Sequence, residues 1–73
     1  MNRQAAAPQR SRSELEVENE ANRLTAQVEE AVSAIAMRSP DEAETLESAA
    51  DRIERIARDL ADALRGLAQE RKL

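Results

Sequence analysis

The chain of 73 residues lacks cysteine, histidine and all three aromatic residues. Without cysteine no disulfide can form, and without cysteine or histidine the usual zinc ligand sets are excluded. Aromatic side chains bury the largest area per residue, so any core must be built from aliphatic residues. One core in so short a chain seldom supplies more than about 3–5 kcal/mol. Association with other helices is the remaining source of stability.

Residues suited to catalysis or metal binding are also scarce. The serines have no histidine to serve as a general base, and the only lysine is Lys72. Carboxylate metal sites in helical bundles normally pair glutamate with histidine. Glu14, Glu16, Glu18 and Glu20 are spaced by two, so a helix points them in different directions. We interpret them as surface charge, with an acidic docking patch as the alternative, and we expect no enzyme activity, metal or cofactor.

The charge balance and hydropathy favour a cytoplasmic protein. A net charge of −4 argues against a dedicated binder of nucleic acid or anionic membranes. The longest mainly apolar run, residues 31–37, is too short to span a bilayer. No stretch near Met1 resembles a signal peptide. Ten arginines against one lysine are typical of a GC-rich genome, and we expect the source to be bacterial.

The composition is dominated by Ala, Glu, Arg and Leu, with one glycine and two prolines. This bias is typical of long helices and coiled coils. Residues 1–10 are small or polar and have no apolar pattern, which predicts a disordered tail. The helical pattern occupies residues 11–73.

The first predicted helix begins at one of two overlapping capping boxes. Ser11 with Glu14 and Ser13 with Glu16 both match the S-x-x-E pattern. An a/d heptad stripe follows, which favours an amphipathic helix over about 13–38. The stripe residues are Val17, Ala21, Leu24, Val28, Ala31 and Ile35, with Val32 beside them.

A tight turn is predicted at residues 38–40. Proline disfavours helical angles in the residue before it and suits the first position of a new helix, so Pro40 ends one helix and starts another. Ser39 and Glu42 match a capping box for the second helix. So short a connection makes the two helices antiparallel neighbours.

The second predicted helix, about 40–69, repeats the heptad with fewer interruptions. Gly66 is costly inside a helix, which indicates fraying or an end nearby. The stripe residues are Leu46, Ala49, Ile53, Ile56, Leu60, Ala63 and Leu67, and Ala50, Ala57 and Leu64 flank them on one side.

The apolar stripe is wider than one hairpin can cover. It occupies nearly three positions in seven, which suits a bundle core better than a two-stranded coil. We therefore predict an all-α fold, an antiparallel two-helix hairpin that dimerises into a four-helix bundle. Its partner is a second copy or the helices of another protein. The predicted interface comprises Val17, Ala21, Leu24, Val28, Ala31, Val32, Ile35, Leu46, Ala49, Ile53, Ile56, Leu60, Ala63, Leu64 and Leu67.

Two functions remain open, and the missing aromatic residues and the acidic balance count against a third, a membrane-surface amphipathic helix. The first is an oligomerisation, adaptor or inhibitor-like module that acts through the apolar heptad face. The second is a nucleic-acid-binding regulator, for which Arg55, Arg58 and Arg65 are the candidate phosphate contacts. The architecture resembles that of the Rop family of small RNA-modulating hairpin dimers, and an acidic turn followed by Glu47-Ser48 adds to the likeness. That family binds RNA through helix 1 with an aromatic residue, which this chain lacks, so no residue is carried over.

Overall fold

The protein folds as a hairpin of two long helices, described by a computed structural model over residues 10–38 and 40–72. Helix α1 spans Arg12–Met37 and helix α2 spans Glu42–Lys72. Glu14 bonds Arg71 and Gln27 bonds Arg52, so the helices run antiparallel. The predicted helical hairpin is confirmed, whereas its dimerisation stays a prediction. Apart from Arg10, the predicted disordered tail lies outside the described residues.

Helix α1 begins with a complete capping box. The Glu14 amide donates to Ser11 Oγ at 3.1 Å, and the Ser11 amide donates to Glu14 Oε1 at 3.0 Å. The Ser11 carbonyl accepts from the Leu15 amide at 3.0 Å, which is the first helical hydrogen bond. Of the two candidate boxes, the structure therefore uses the first. Ser13 instead donates across the hairpin to Glu70.

In the part of the turn that the structure describes, Arg38 lies in the left-handed region. Arg38 follows the last turn of α1 with φ 53° and ψ 51°. Helix α2 begins at Glu42, two residues after the predicted start at Pro40. Its first helical bond runs from the Thr45 amide to the Asp41 carbonyl at 3.0 Å, so Asp41 occupies the N-cap position. The predicted cap, Ser39, lies outside the described residues.

Helix α2 continues beyond its predicted end near Gln69 and reaches Lys72. Gly66 lies within it, with φ in the ordinary range and open space around its Cα. Arg71 and Lys72 occupy the last turn, where cations interact favourably with the helix dipole. The glycine therefore interrupts neither the backbone hydrogen bonds nor the register of Leu67.

The seam between the helices is narrow. Within the described residues only Ala49 and Ile56 are buried, with 4% and 5% of their surface exposed. Other apolar residues that face across the seam are half-buried, which leaves a core one side chain deep. They are Val17, Ala21, Leu24, Ala31, Ala34, Leu46, Ile53, Leu60, Ala63 and Leu67.

Candidate interaction surface

The hairpin has two open faces, one on each side of the seam. Polar side chains of the two helices contact each other on the first face. Arg52 Nε donates to Gln27 Oε1 at 2.8 Å, and Arg52 Nη2 lies 3.7 Å from Glu30 Oε1. At about 100° per residue, Arg52 is turned about 40° from the buried Ile56 and Gln27 about 60° from Leu24. Both rotations lead to the same side of the seam, which we call the polar face.

The opposite side, which we call the apolar face, carries the large aliphatic residues that the seam leaves uncovered. On α1, Val28 and Val32 are turned about 40° and 80° from Leu24, away from the side of Gln27. On α2, Leu64 is turned about 80° from Ile56, away from the side of Arg52. We define the apolar face by Val28, Val32, Ile35 and Leu64.

These four side chains are well exposed in the hairpin. Val28 is 44% exposed, Val32 60%, Ile35 51% and Leu64 49%. Exposed alanines of α2, Ala50 and Ala57 among them, lie on the same side. Leu15 and Met37 are also exposed, but helical spacing puts them on other sides of α1. Large apolar residues exposed together on one side of a molecule mark an interaction site more often than singly scattered ones do.

The predicted interface therefore divides into two parts. Eleven of its residues pack in the seam, whereas the four of the apolar face point out of the hairpin. The a/d pattern would put Val28 and Ile35 in the seam, but their neighbours Gln27 and Ala34 are half-buried there instead. Small Ala31 and Ala34 are half-buried at this end of the hairpin, next to the turn. The sequence prediction treated Gln27 as a polar boundary residue and did not include Ala34 in the interface.

The far end of the apolar face, near the two helix termini that lie away from the turn, is charged. Arg71 donates to Glu14 across the seam. Arg10, which precedes α1, donates to Glu18. Helical spacing puts Glu14 and Arg71 on the same side as Val32 and Leu64. The α1 residues of the face thus lie in its turn half, whereas Leu64 lies in the open half beside the paired charges.

The polar face has a groove lined by three arginines, Arg23, Arg52 and Arg55. Arg23 donates to Glu20 at 3.0 Å and Arg52 lies near Glu30, so acids offset two of these cations. Bonds of this exposed kind typically contribute about 0–1 kcal/mol each.

The three arginines predicted as phosphate contacts do not line one groove. Arg55 lines the polar-face groove, whereas Arg58 and Arg65, seven residues apart, share the outer surface of α2. Arg65 is also bonded to Asp62 at 3.2 Å. Arg52 precedes Arg55 by about one turn of α2, and the hairpin brings Arg23 of α1 beside them, so these three arginines line one groove.

No other kind of site is evident within residues 10–38 and 40–72. No group of three acidic side chains there could hold a metal ion. Neither described helix is long and apolar enough to cross a membrane. No known protein family, curated protein or solved structure matches the chain. A function can therefore be argued from the apolar face and from the arginine-lined groove of the polar face.

Proposed function

We propose that this chain is a non-catalytic helical oligomerisation module that acts through its apolar face. The single observation that carries the proposal is the outward placement of Val28, Val32, Ile35 and Leu64 on one side of a hairpin whose own core is one side chain deep. A second hairpin packed on this face would convert two thin seams into one bundle core.

The energetic gain from covering the face is large for so small a chain. Full burial of a large aliphatic side chain contributes about 1.5–3 kcal/mol, and these four are about half exposed already. Covering them would add about 3–6 kcal/mol per chain. Among its described residues the hairpin buries only two side chains. The gain is therefore comparable to the whole free energy of unfolding that a core of this size supplies. A dimer with a four-helix core is the simplest state that recovers it.

The test is a mass measurement on a matched pair of variants. We expect light scattering at tens of micromolar chain to give twice the 8.1 kDa chain mass. Ile35→Gln should raise the dissociation constant at least about tenfold, since about 1.4 kcal/mol of lost burial suffices. Met37→Gln is the control, because Met37 is two residues away, 75% exposed and on a different side of α1.

The proposal fails if the wild-type chain is a folded monomer at that concentration. It also fails if Met37→Gln weakens the dimer as much as Ile35→Gln does. Both substitutions keep the net charge and place a good helix former at an exposed position, so helicity should be equal in the two variants. Circular dichroism checks that equality.

A second candidate function, binding of nucleic acid, is favoured by the three arginines of the polar-face groove. The chain has no Trp, Tyr or Phe, so its own absorbance at 260 nm is negligible. Purified protein that retains a 260 nm absorbance through a high-salt wash would support this function. Arg52→Gln with Arg55→Gln should then abolish the absorbance, whereas Ile35→Gln should not remove it directly.

A further inference from the structure

We propose that the arginine-lined groove of the polar face is a binding site for a compact phosphate anion of diphosphate size. The groove is lined from both helices by Arg23, Arg52 and Arg55, together with Gln27 and the buried Ile56. This inference specifies the ligand of the groove from which nucleic-acid binding was argued above. It is independent of the apolar face, which lies on the other side of the seam.

Each of the three guanidinium groups has N–H donors that no described residue uses. Arg52 Nη2 lies 3.7 Å from Glu30 Oε1, which is too far for a hydrogen bond. Arg23 donates from Nη1 alone, at 3.0 and 3.3 Å from the two carboxylate oxygens of Glu20. Arg55 has neither a hydrogen bond nor an ion pair with any described residue. Because a guanidinium group donates from Nε and from both Nη atoms, most donors in the groove are available to an anion.

The middle of the groove is positioned by a hydrogen bond between the helices. Gln27 is half-buried at the edge of the seam, and its Oε1 accepts from Arg52 Nε at 2.8 Å. The two Nη atoms of Arg52 take no part in this bond, and such groups pair well with two oxygens of one phosphate. A side chain that is already oriented loses less conformational freedom when it binds a ligand. Arg52 is therefore the positioned centre of the site.

The length of the basic segment determines the size of the anion. The bond between Gln27 and Arg52 puts these two residues at one level of the hairpin. From that level Arg23 lies four residues along α1 and Arg55 three residues along α2, in the same direction because the helices are antiparallel. At 1.5 Å per residue the segment is about 6 Å long. Phosphates of one strand of a duplex are about 3.4 Å apart along the axis, so this length matches about two phosphate groups.

Carboxylates limit the basic segment on the side away from the turn. Glu16, Glu20, Asp59 and Asp62 line the next stretch of the same face. Their spacings of three and four residues continue the stripes that carry the arginines, so the acids lie in line with the groove. A nucleic-acid strand that ran along the hairpin would place its next phosphates on these carboxylates, and like charges repel at close range. A diphosphate is short enough to end before them.

Titration of sodium pyrophosphate into ¹⁵N-labelled protein at low salt, followed by NMR, tests the site. The Nε–H signals of Arg23, Arg52 and Arg55 should shift and saturate below about 10 mM pyrophosphate. The signal of Arg65 should not, because Arg65 lies about 15 Å beyond Arg55 along α2. Arg65 therefore reports any non-specific attraction of the anion to exposed arginine.

Arg55→Gln and Arg65→Gln are a matched pair of variants, since each removes one positive charge from an exposed position of α2. By calorimetry, Arg55→Gln should raise the dissociation constant for pyrophosphate at least about tenfold, because charge-assisted hydrogen bonds are lost. Arg65→Gln should raise it less than about threefold, since only a screened long-range attraction changes. Ile35→Gln should leave it unchanged even where it dissociates a dimer, so failure of self-association would not remove the site.

Equal losses in the two arginine variants overturn the proposal, because the anion would then respond only to net charge. Absence of saturable shifts in the wild-type chain overturns it as well. A single-stranded DNA of about 20 nucleotides separates the nucleic-acid candidate, and it should bind no more tightly than pyrophosphate. Binding at least about tenfold tighter than pyrophosphate would overturn the compact ligand and leave nucleic acid as the occupant of the groove.

Discussion

Among the described residues, Arg38 is the non-glycine residue whose backbone adopts a left-handed conformation. Its φ of 53° is positive, and the left-handed region costs a non-glycine residue about 1–2 kcal/mol. Helices often place glycine at this point because glycine adopts it without a steric penalty. Among the described residues Arg38 is the one non-glycine residue with a positive φ, so a single substitution can relieve this strain.

We predict that Arg38→Gly raises the free energy of unfolding by about 0.5–1 kcal/mol, since relief of strain outweighs the extra freedom of glycine in the unfolded chain. Chemical denaturation followed by circular dichroism at 222 nm measures the change. Arg38→Ala removes the same charge and keeps the strain, so it should not stabilise. Equal effects of the two variants would mean that charge, not backbone angle, is responsible.

Gly66 presents the opposite case, a flexible residue in a regular helix. A methyl group added there would meet nothing within 4 Å. We predict that Gly66→Ala stabilises the fold by about 1 kcal/mol, because alanine loses less conformational freedom in a helix than glycine. The thermal midpoint at fixed protein concentration should rise accordingly. An unchanged or lower midpoint would indicate that the last turns of α2 are not helical in solution.

At the scale of the element, the start of α1 depends on a single serine. Ser11 both accepts from the Glu14 amide and donates its own amide to the Glu14 carboxylate. Ser11→Ala removes the side-chain half of this box and should destabilise the fold by about 1 kcal/mol. Denaturation midpoints of Ser11→Ala and Ser13→Ala compare the cap with a surface bond. The second variant should cost less, because Ser13 bonds only an exposed Glu70 carboxylate.

The helices, their antiparallel order and this cap could be predicted because each depends on neighbours in sequence. Local patterns also indicate which face of α2 is apolar. They could not decide between Gln27 and Val28, or between Ala34 and Ile35, for the seam. Those choices depend on how closely the turn draws α1 to α2, a distance that neither helix encodes alone. The backbone of Arg38 was likewise hidden, because neither glycine nor asparagine marks it.

At the scale of the molecule, the thin seam predicts that stability depends on concentration. If the apolar face is covered by a second copy, folding and association are coupled by mass action. The thermal midpoint should then rise between about 2 and 100 micromolar chain, and Ile35→Gln should lower it at every concentration. A midpoint that does not move over this range would show that the lone hairpin is stable by itself.

The antiparallel pairing also determines where the hairpin can be joined to anything else. Glu14 contacts Arg71, so the beginning of α1 and the end of α2 lie together, a full helix length from the turn. A tag or domain fused to either end of the chain would emerge at this one pole. Two domains joined beyond the two helices would therefore begin side by side at this pole, and the turn at the other pole would stay clear of both.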